Sequence, residues 1–173
     1  MAKIDYTIYD TALFGTTANT DHDLFTIAQG GASNKGKTIT NMRGNSQFPV
    51  GEAFTIHKIG VTIDDVLTDD DIQGLFLGST LELIYNNTTV FLVPTAQLSY
   101  RNAVQGIKTE ASASAFDFFG LMGDGHEFKA PLTIQGGKNF RGILHQGLAV
   151  DNASMDIKVM LIGMLDSPNI NLG

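Results

Sequence analysis

Four histidines, His22, His57, His126 and His145, are the side chains of this chain best suited to proton transfer or metal ligation. Two such ligands carried by one strand share a face only when they are two positions apart. No two of these histidines have that spacing. His126 and Glu127 are adjacent, so on a strand their side chains leave opposite faces. All four read as polar surface or loop residues rather than ligands. Asp64, Asp65, Asp69, Asp70 and Asp71 form an acidic cluster. It lacks the D-x-D-x-D-G order and the closing Glu of a calcium loop, and reads as the solvated start of a helix, with a loose surface calcium site as the alternative. Gly120, Gly123 and Gly125 superficially match a dinucleotide fingerprint, but His126 to Lys129 continues as a strand where that motif needs a helix. There is no phosphate-binding loop and no G-x-S-x-G. A Ser/His/Asp set could still be assembled from distant residues, and nothing in the sequence points to one. The expectation is therefore no catalytic, cofactor-binding or metal-binding residue, and a protein that is not an enzyme.

Composition narrows the class. The chain has 173 residues, 43% of them hydrophobic and only 17% charged, with 19 glycines. That is enough for one domain with a substantial core, and too apolar for a disordered chain. The balance suits a turn-rich β protein whose surface is polar but weakly charged. The net charge is −7. An acidic chain with scattered Lys and Arg lacks the electrostatic footprint for a phosphate backbone, so no direct nucleic-acid binding is expected. General adsorption to anionic lipid is disfavoured for the same reason, although a local patch could still touch a membrane. There is no cysteine, which excludes disulfides and thiolate metal sites. The start, MAKIDYTIYD, lacks an apolar stretch after basic residues, so no secretory signal is expected. No apolar run approaches the roughly 18 residues of a membrane span.

The elements follow from periodicity. Ile4 to Tyr9 alternates and reads as a short strand or ordered arm. Gly15 to Asp23 reads as a loop, Leu24 to Gln29 as a second short strand, and Gly30 to Gly36 as a loop. Thr38 to Met42 alternates until a turn-rich segment, Arg43 to Gln47, and a long strand starts at Phe54. Phe54 and Ile56 have one parity and Ile59, Val61 and Ile63 the other. One extra residue at His57-Lys58 would put all five on one face, which predicts a β-bulge there. Val66-Leu67, Ile72 and Leu75-Phe76 lie at helical spacing, with Thr68 as the cap, and Gly74 limits this helix to about two turns. Thr80 to Tyr85 and Thr89 to Val93 form a hairpin around Asn86-Asn87-Thr88, because Asn tolerates positive φ. Arg101 to Ser114 reads as a long surface loop, and Ala115 to Leu121 as an apolar, aromatic stretch. On a strand, the adjacent Phe118 and Phe119 would place rings on both faces, which hints at a partner surface. Glu127 to Ile134, Asn139 to Gln146 and Met155 to Leu165 close the chain as three strands. Met160 and Ile162 make the last strand apolar on both faces, so it should be central or covered.

Eight or nine antiparallel strands with one short helix predict an all-β sandwich in a single domain, 1–173. Its core should contain Ile56, Ile59, Val61, Leu83, Leu92, Leu132, Phe140, Leu144, Val159 and Leu161.

Two stretches carry a family resemblance. Y-D-T-A-L-F at 9–14 and T-N-M-x-x-x-x-Q-F-P-x-x-x-x-F-x-I-x-x-I at 40–59 form the first; G-G-K-N-F at 136–140 and L-x-G-M-L at 161–165 mark the second. Together, residues 9–63 and 127–165 resemble the single jelly-roll major capsid proteins of tailless, icosahedral, lipid-containing bacteriophages and related sphaerolipovirus-like viruses of archaea. The resemblance implies a single jelly-roll β-sandwich with an N-terminal arm over 1–20. It implies a structural coat protein, made in the host cytoplasm and placed in the virion. Its partners would be further copies of itself, a second, larger capsid protein, and an internal membrane beneath the shell. Two rival classes stand beside it. A carbohydrate- or receptor-binding jelly roll would show Trp or clustered Tyr for sugar stacking; here Trp is absent and the four Tyr are dispersed. A cupin-like metalloenzyme, also a jelly roll, needs two His one residue apart, a Glu and a later His, which the histidine spacing does not supply.

Overall fold

The computed structural model describes residues 2–31, 35–63, 69–100, 105–109, 116–120, 123–151 and 155–168. Ten strands run in chain order: β1 Ala2–Phe14, β2 Thr20–Leu24, β3 Ala53–Ile63, β4 Ser79–Tyr85, β5 Thr88–Pro94, β6 Gln105–Thr109, β7 Phe116–Gly120, β8 His126–Gln135, β9 Phe140–Gln146 and β10 Met155–Ser167. One helix, α1 Asp69–Phe76, lies between β3 and β4. It has the expected two turns; Thr68, Asp64 and Asp65 lie outside the described residues.

Eight strands make two antiparallel four-stranded sheets, in the orders β1-β10-β3-β8 and β2-β9-β4-β5. The chain changes sheet at each step between these eight strands except the tight β4–β5 hairpin. This interleaving is the jelly-roll order, in which two Greek keys are wound together. The expected all-β jelly-roll sandwich is therefore the fold. Beyond the expected eight or nine strands, β6 and β7 form a separate two-stranded ribbon within 101–121. The loop expected over 101–114 is thus a strand at 105–109, while 101–104 and 110–115 lie outside the described residues.

Between the sheets lies one core. Phe14, Phe25, Phe54, Phe140, Ile56, Ile59, Leu81 and Leu83 are its largest fully buried members. Phe140 stacks on Phe25 at 5.6 Å and on Phe48 at 6.3 Å between ring centroids. Of the expected core residues, Ile56, Ile59, Val61, Leu83, Phe140, Leu144, Val159 and Leu161 are buried, and Leu132 is half-buried against them. Leu92 is a correction: it is 58% exposed. The run Val90 to Val93 is apolar on both parities, so its facing was not encoded by alternation. Leu92 pairs with Glu82, an outward position of β4.

The expected bulge is present. On β10, Gly163 pairs with Ile56 and Ile162 with Lys58, so His57 is skipped; on β8 it is skipped too. That single extra residue brings Phe54, Ile56, Ile59 and Val61 onto the core face. At the same point Gly163 is required, because a Cβ there would lie 1.9 Å from the Thr55 carbonyl oxygen. The hairpin turn is also as expected: Asn86 and Asn87 take φ of 50° and 62°, the two positive values of a tight type I′ turn.

Three expectations near the N-terminus are corrected. The first strand runs 13 residues rather than six, paired along its length with β10. The second strand is Thr20–Leu24 rather than 24–29, within the stretch read as loop. Thr38 to Met42 is not a strand; its alternation arises because Thr40 and Met42 turn inward while the segment lies along β1. There the Asn41 side chain acts as a strand partner. Its Oδ1 accepts from the Tyr9 N–H at 2.8 Å, and its Nδ2 donates to the Thr7 carbonyl at 2.7 Å. The Thr11 hydroxyl donates to the Ile39 carbonyl at 3.0 Å.

Candidate functional site

The structure scatters the four histidines. His22, on β2, stacks on Phe14 at 4.9 Å and meets the Gln146 Oε1 at 2.9 Å. His57 is the bulge residue. His126, on β8, belongs to an aromatic group with Phe91 and Phe128, 5.1 and 5.4 Å away. His145 lies on the outward face of β9. Among the described residues no three His, Asp or Glu side chains are grouped so as to hold a metal ion.

The most developed polar cluster is the one around His145. Register explains it: on β9, Phe140, Gly142, Leu144 and Gln146 face inward, so Arg141, Ile143 and His145 face out. Asp21 of β2 is opposite His145 on one side, and Glu82 of β4 is a diagonal neighbour on the other. His145 Nδ1 is 2.7 Å from Asp21 Oδ1, and Nε2 is 3.1 Å from Glu82 Oε2. Both ring nitrogens thus meet carboxylate oxygens, which can only accept. Two donated hydrogen bonds require the doubly protonated imidazolium. Desolvation of the ring opposes the charge, but the hydrogen bonds to Asp21 and Glu82 and their charges outweigh it, raising the His145 pKa above its usual value. Glu82 is held below its usual value, first by the hydrogen bond from the Thr89 hydroxyl and then by His145 and Arg141, against some desolvation. Arg141 also reaches toward Asp23 at 3.9 Å. The arrangement ties three strands of one sheet together. It holds no nucleophile, and the ring nitrogens point away from each other, so it does not make a chelate.

Two further charges sit inside. Asp10 is fully buried and accepts from the Phe25 N–H at 2.6 Å, the Thr11 N–H at 3.0 Å and Lys35 Nζ at 2.9 Å. It thereby holds Phe25 at its positive φ of 62°. Glu52, 2% exposed, is paired with Arg43 at 2.7 Å and accepts from the Ser167 hydroxyl at 2.9 Å. Each fastens a loop to the sandwich. A surface hollow of about 530 Å³ is lined by Tyr9, Thr11, Lys37, Ile39 and Lys158. The hydroxyls of Tyr9 and Thr11 are already engaged with backbone carbonyls there.

Sequence reasoning missed the His145 cluster because its members are 124 and 63 residues apart. The available signal was the outward parity of His145 on β9; what it would meet depends on register. No family model matches this chain, and no curated protein matches it.

The four sheet edges complete the inventory. The outer edge of β1 is covered by 37–42 from Thr7 to Thr11, and its start carries Lys3 and Asp5. β2 carries Asp21 and Asp23, and β8 carries Glu127, Lys129 and Pro131. These are the usual devices that keep an edge from pairing. β5, Thr-Thr-Val-Phe-Leu-Val-Pro, carries no charge.

Proposed function

We propose that this protein is a structural coat protein of an icosahedral virion, a single jelly-roll subunit with no enzymatic role. The observation that carries this reading is where the two stretches of family resemblance fall. Residues 9–63 and 127–165 are, apart from the start of β1, the strands β1 to β3 and β8 to β10. These supply most of the β1-β10-β3-β8 sheet and half of the other, so the resemblance follows the interleaved framework rather than one local hairpin. The surface supports the reading too. It is polar and sparsely charged, His22, His126 and His145 are used in packing and strand ties, and one sheet edge lacks charge. In this role the sandwich is a rigid wedge whose contacts are individually modest and gain strength by repetition.

The partners of such a subunit are other copies of itself and, in the lipid-containing group it resembles, a second, larger capsid protein and an internal membrane. The net charge of −7 disfavours contact with the genome. The virion is its site of function, after synthesis in the host cytoplasm. In the single chain, β1 is spent on β10 and on the 37–42 segment, so a role for 1–20 as an arm requires its exchange between copies. Light scattering on the purified full chain over a range of concentration tests the association. The coat reading expects concentration-dependent association of the full chain. A strict monomer at high concentration contradicts it.

A further inference from the structure

We propose that the free edge of β5 pairs with β5 of a second copy of this chain, antiparallel and about a two-fold axis. This rests on the self-assembling coat reading and names the surface it uses. The first support is elimination among edges. β1 carries exposed Lys3 and Asp5 at its start, and from Thr7 to Thr11 its edge is taken by Asn41 and its neighbours. β2 presents Asp21, which is 68% exposed, and Asp23, which is 61% exposed. β8 presents exposed Glu127, Lys129 and Pro131, and the last has no N–H to donate. Among the described residues no strand pairs with the outer side of β5.

The second support is charge. Two identical chains of net charge −7 repel each other, and the contact they can form most readily is one where neither brings a charge. β5 is the edge strand without a charged residue, and its composition of Thr, Val, Phe and Leu favours strand pairing. The third is Leu92. It is 58% exposed on the outward face, and an antiparallel pairing near the middle of the strand brings the two copies of it together. The bulge at Val90, where Leu83 pairs with Phe91 and Ile84 with Thr89, leaves Phe91 to Val93 as the regular stretch before Pro94. An isologous contact of this kind is closed and self-complementary. It is also small, so it is weak in a pair and counts through repetition.

The test is a charge exchange at Leu92, read by sedimentation velocity over a range of concentration. Leu92→Glu and Leu92→Lys each place like charges against each other in a homodimer and should raise its dissociation constant at least roughly tenfold. An equimolar mixture of the two variants should associate again, because the charges are then opposite. Circular dichroism melts verify that both variants fold, and Ala130→Glu on the exposed edge of β8 should leave association unchanged. Rescue in the mixture supports β5 as the contact. Association of both variants as strong as that of the unaltered chain overturns it and leaves the coat reading standing. A full chain that never associates overturns both.

Discussion

Replacing His145 by Gln isolates the charge that ties β2, β9 and β4 together. The sign follows from the raised pKa. A group whose pKa is higher in the folded chain stabilises the fold fully below its unfolded value, 6.5 for His, and loses that contribution as pH rises through the folded value. The partners set the size. His145 is 34% exposed, Asp21 68% and Glu82 18%, so solvent screening holds each contact to about 0.2–1 kcal/mol, or roughly 1 kcal/mol for the two. For a chain of this length, 1 kcal/mol moves Tm by about 2–4 °C. Asp23 and Arg141 face the same cluster and are common to both chains, so they cancel in the difference. Thermal melts of the unaltered chain and of His145→Gln from about pH 5.5 to about pH 9 are the assay. The unaltered chain should be more stable by about 2–4 °C at the acid end, with the gap closing toward the alkaline end. His22, His57 and His126 are common to both chains and cancel in the difference. A gap that stays constant with pH would refute the charge argument and leave only packing. An NMR titration placing His145 at or below 6.5 would refute it independently.

Other outcomes follow from packing and register. Leu144→Ala or Leu161→Ala, at fully buried positions, should cost about 2–5 kcal/mol in urea unfolding, whereas Leu92→Ala should stay within about 0.5 kcal/mol. Deleting His57 should prevent native folding, because it turns Ile59 and Val61 to the outer face, while His57→Ala should change stability by less than about 0.5 kcal/mol; a melt of both variants checks the contrast. Asp10→Asn removes the anionic partner of Lys35 and one of the acceptors for the Phe25 and Thr11 N–H groups, and should cost about 3–5 kcal/mol by the same unfolding measurement.

What the sequence made legible was what depends on local pattern. Asn86-Asn87 is a turn because Asn accepts positive φ, and the parity change between Ile56 and Ile59 requires an inserted residue wherever the strand sits. The last two strands, β9 and β10, alternate cleanly because their inner faces are buried along their length. What stayed hidden depends on distant partners. β2 is Thr-Asp-His-Asp-Leu, polar because it is an edge strand, and it therefore looks like a loop. Thr38 to Met42 alternates like a strand, yet its partner is β1, met largely through side chains rather than a regular ladder. In the β6–β7 ribbon Ile107 registers opposite Phe118, a pairing that no turn signal in the sequence announces. The His145 cluster needed the register of three strands before its members could be seen as neighbours.

The most direct test of the proposed coat role is electron microscopy of the purified full chain brought to high concentration, alone and with candidate partner proteins. The account predicts closed, regular shells or symmetric capsomers whose subunits fit the jelly-roll sandwich. Monodisperse single chains under all of these conditions would contradict it.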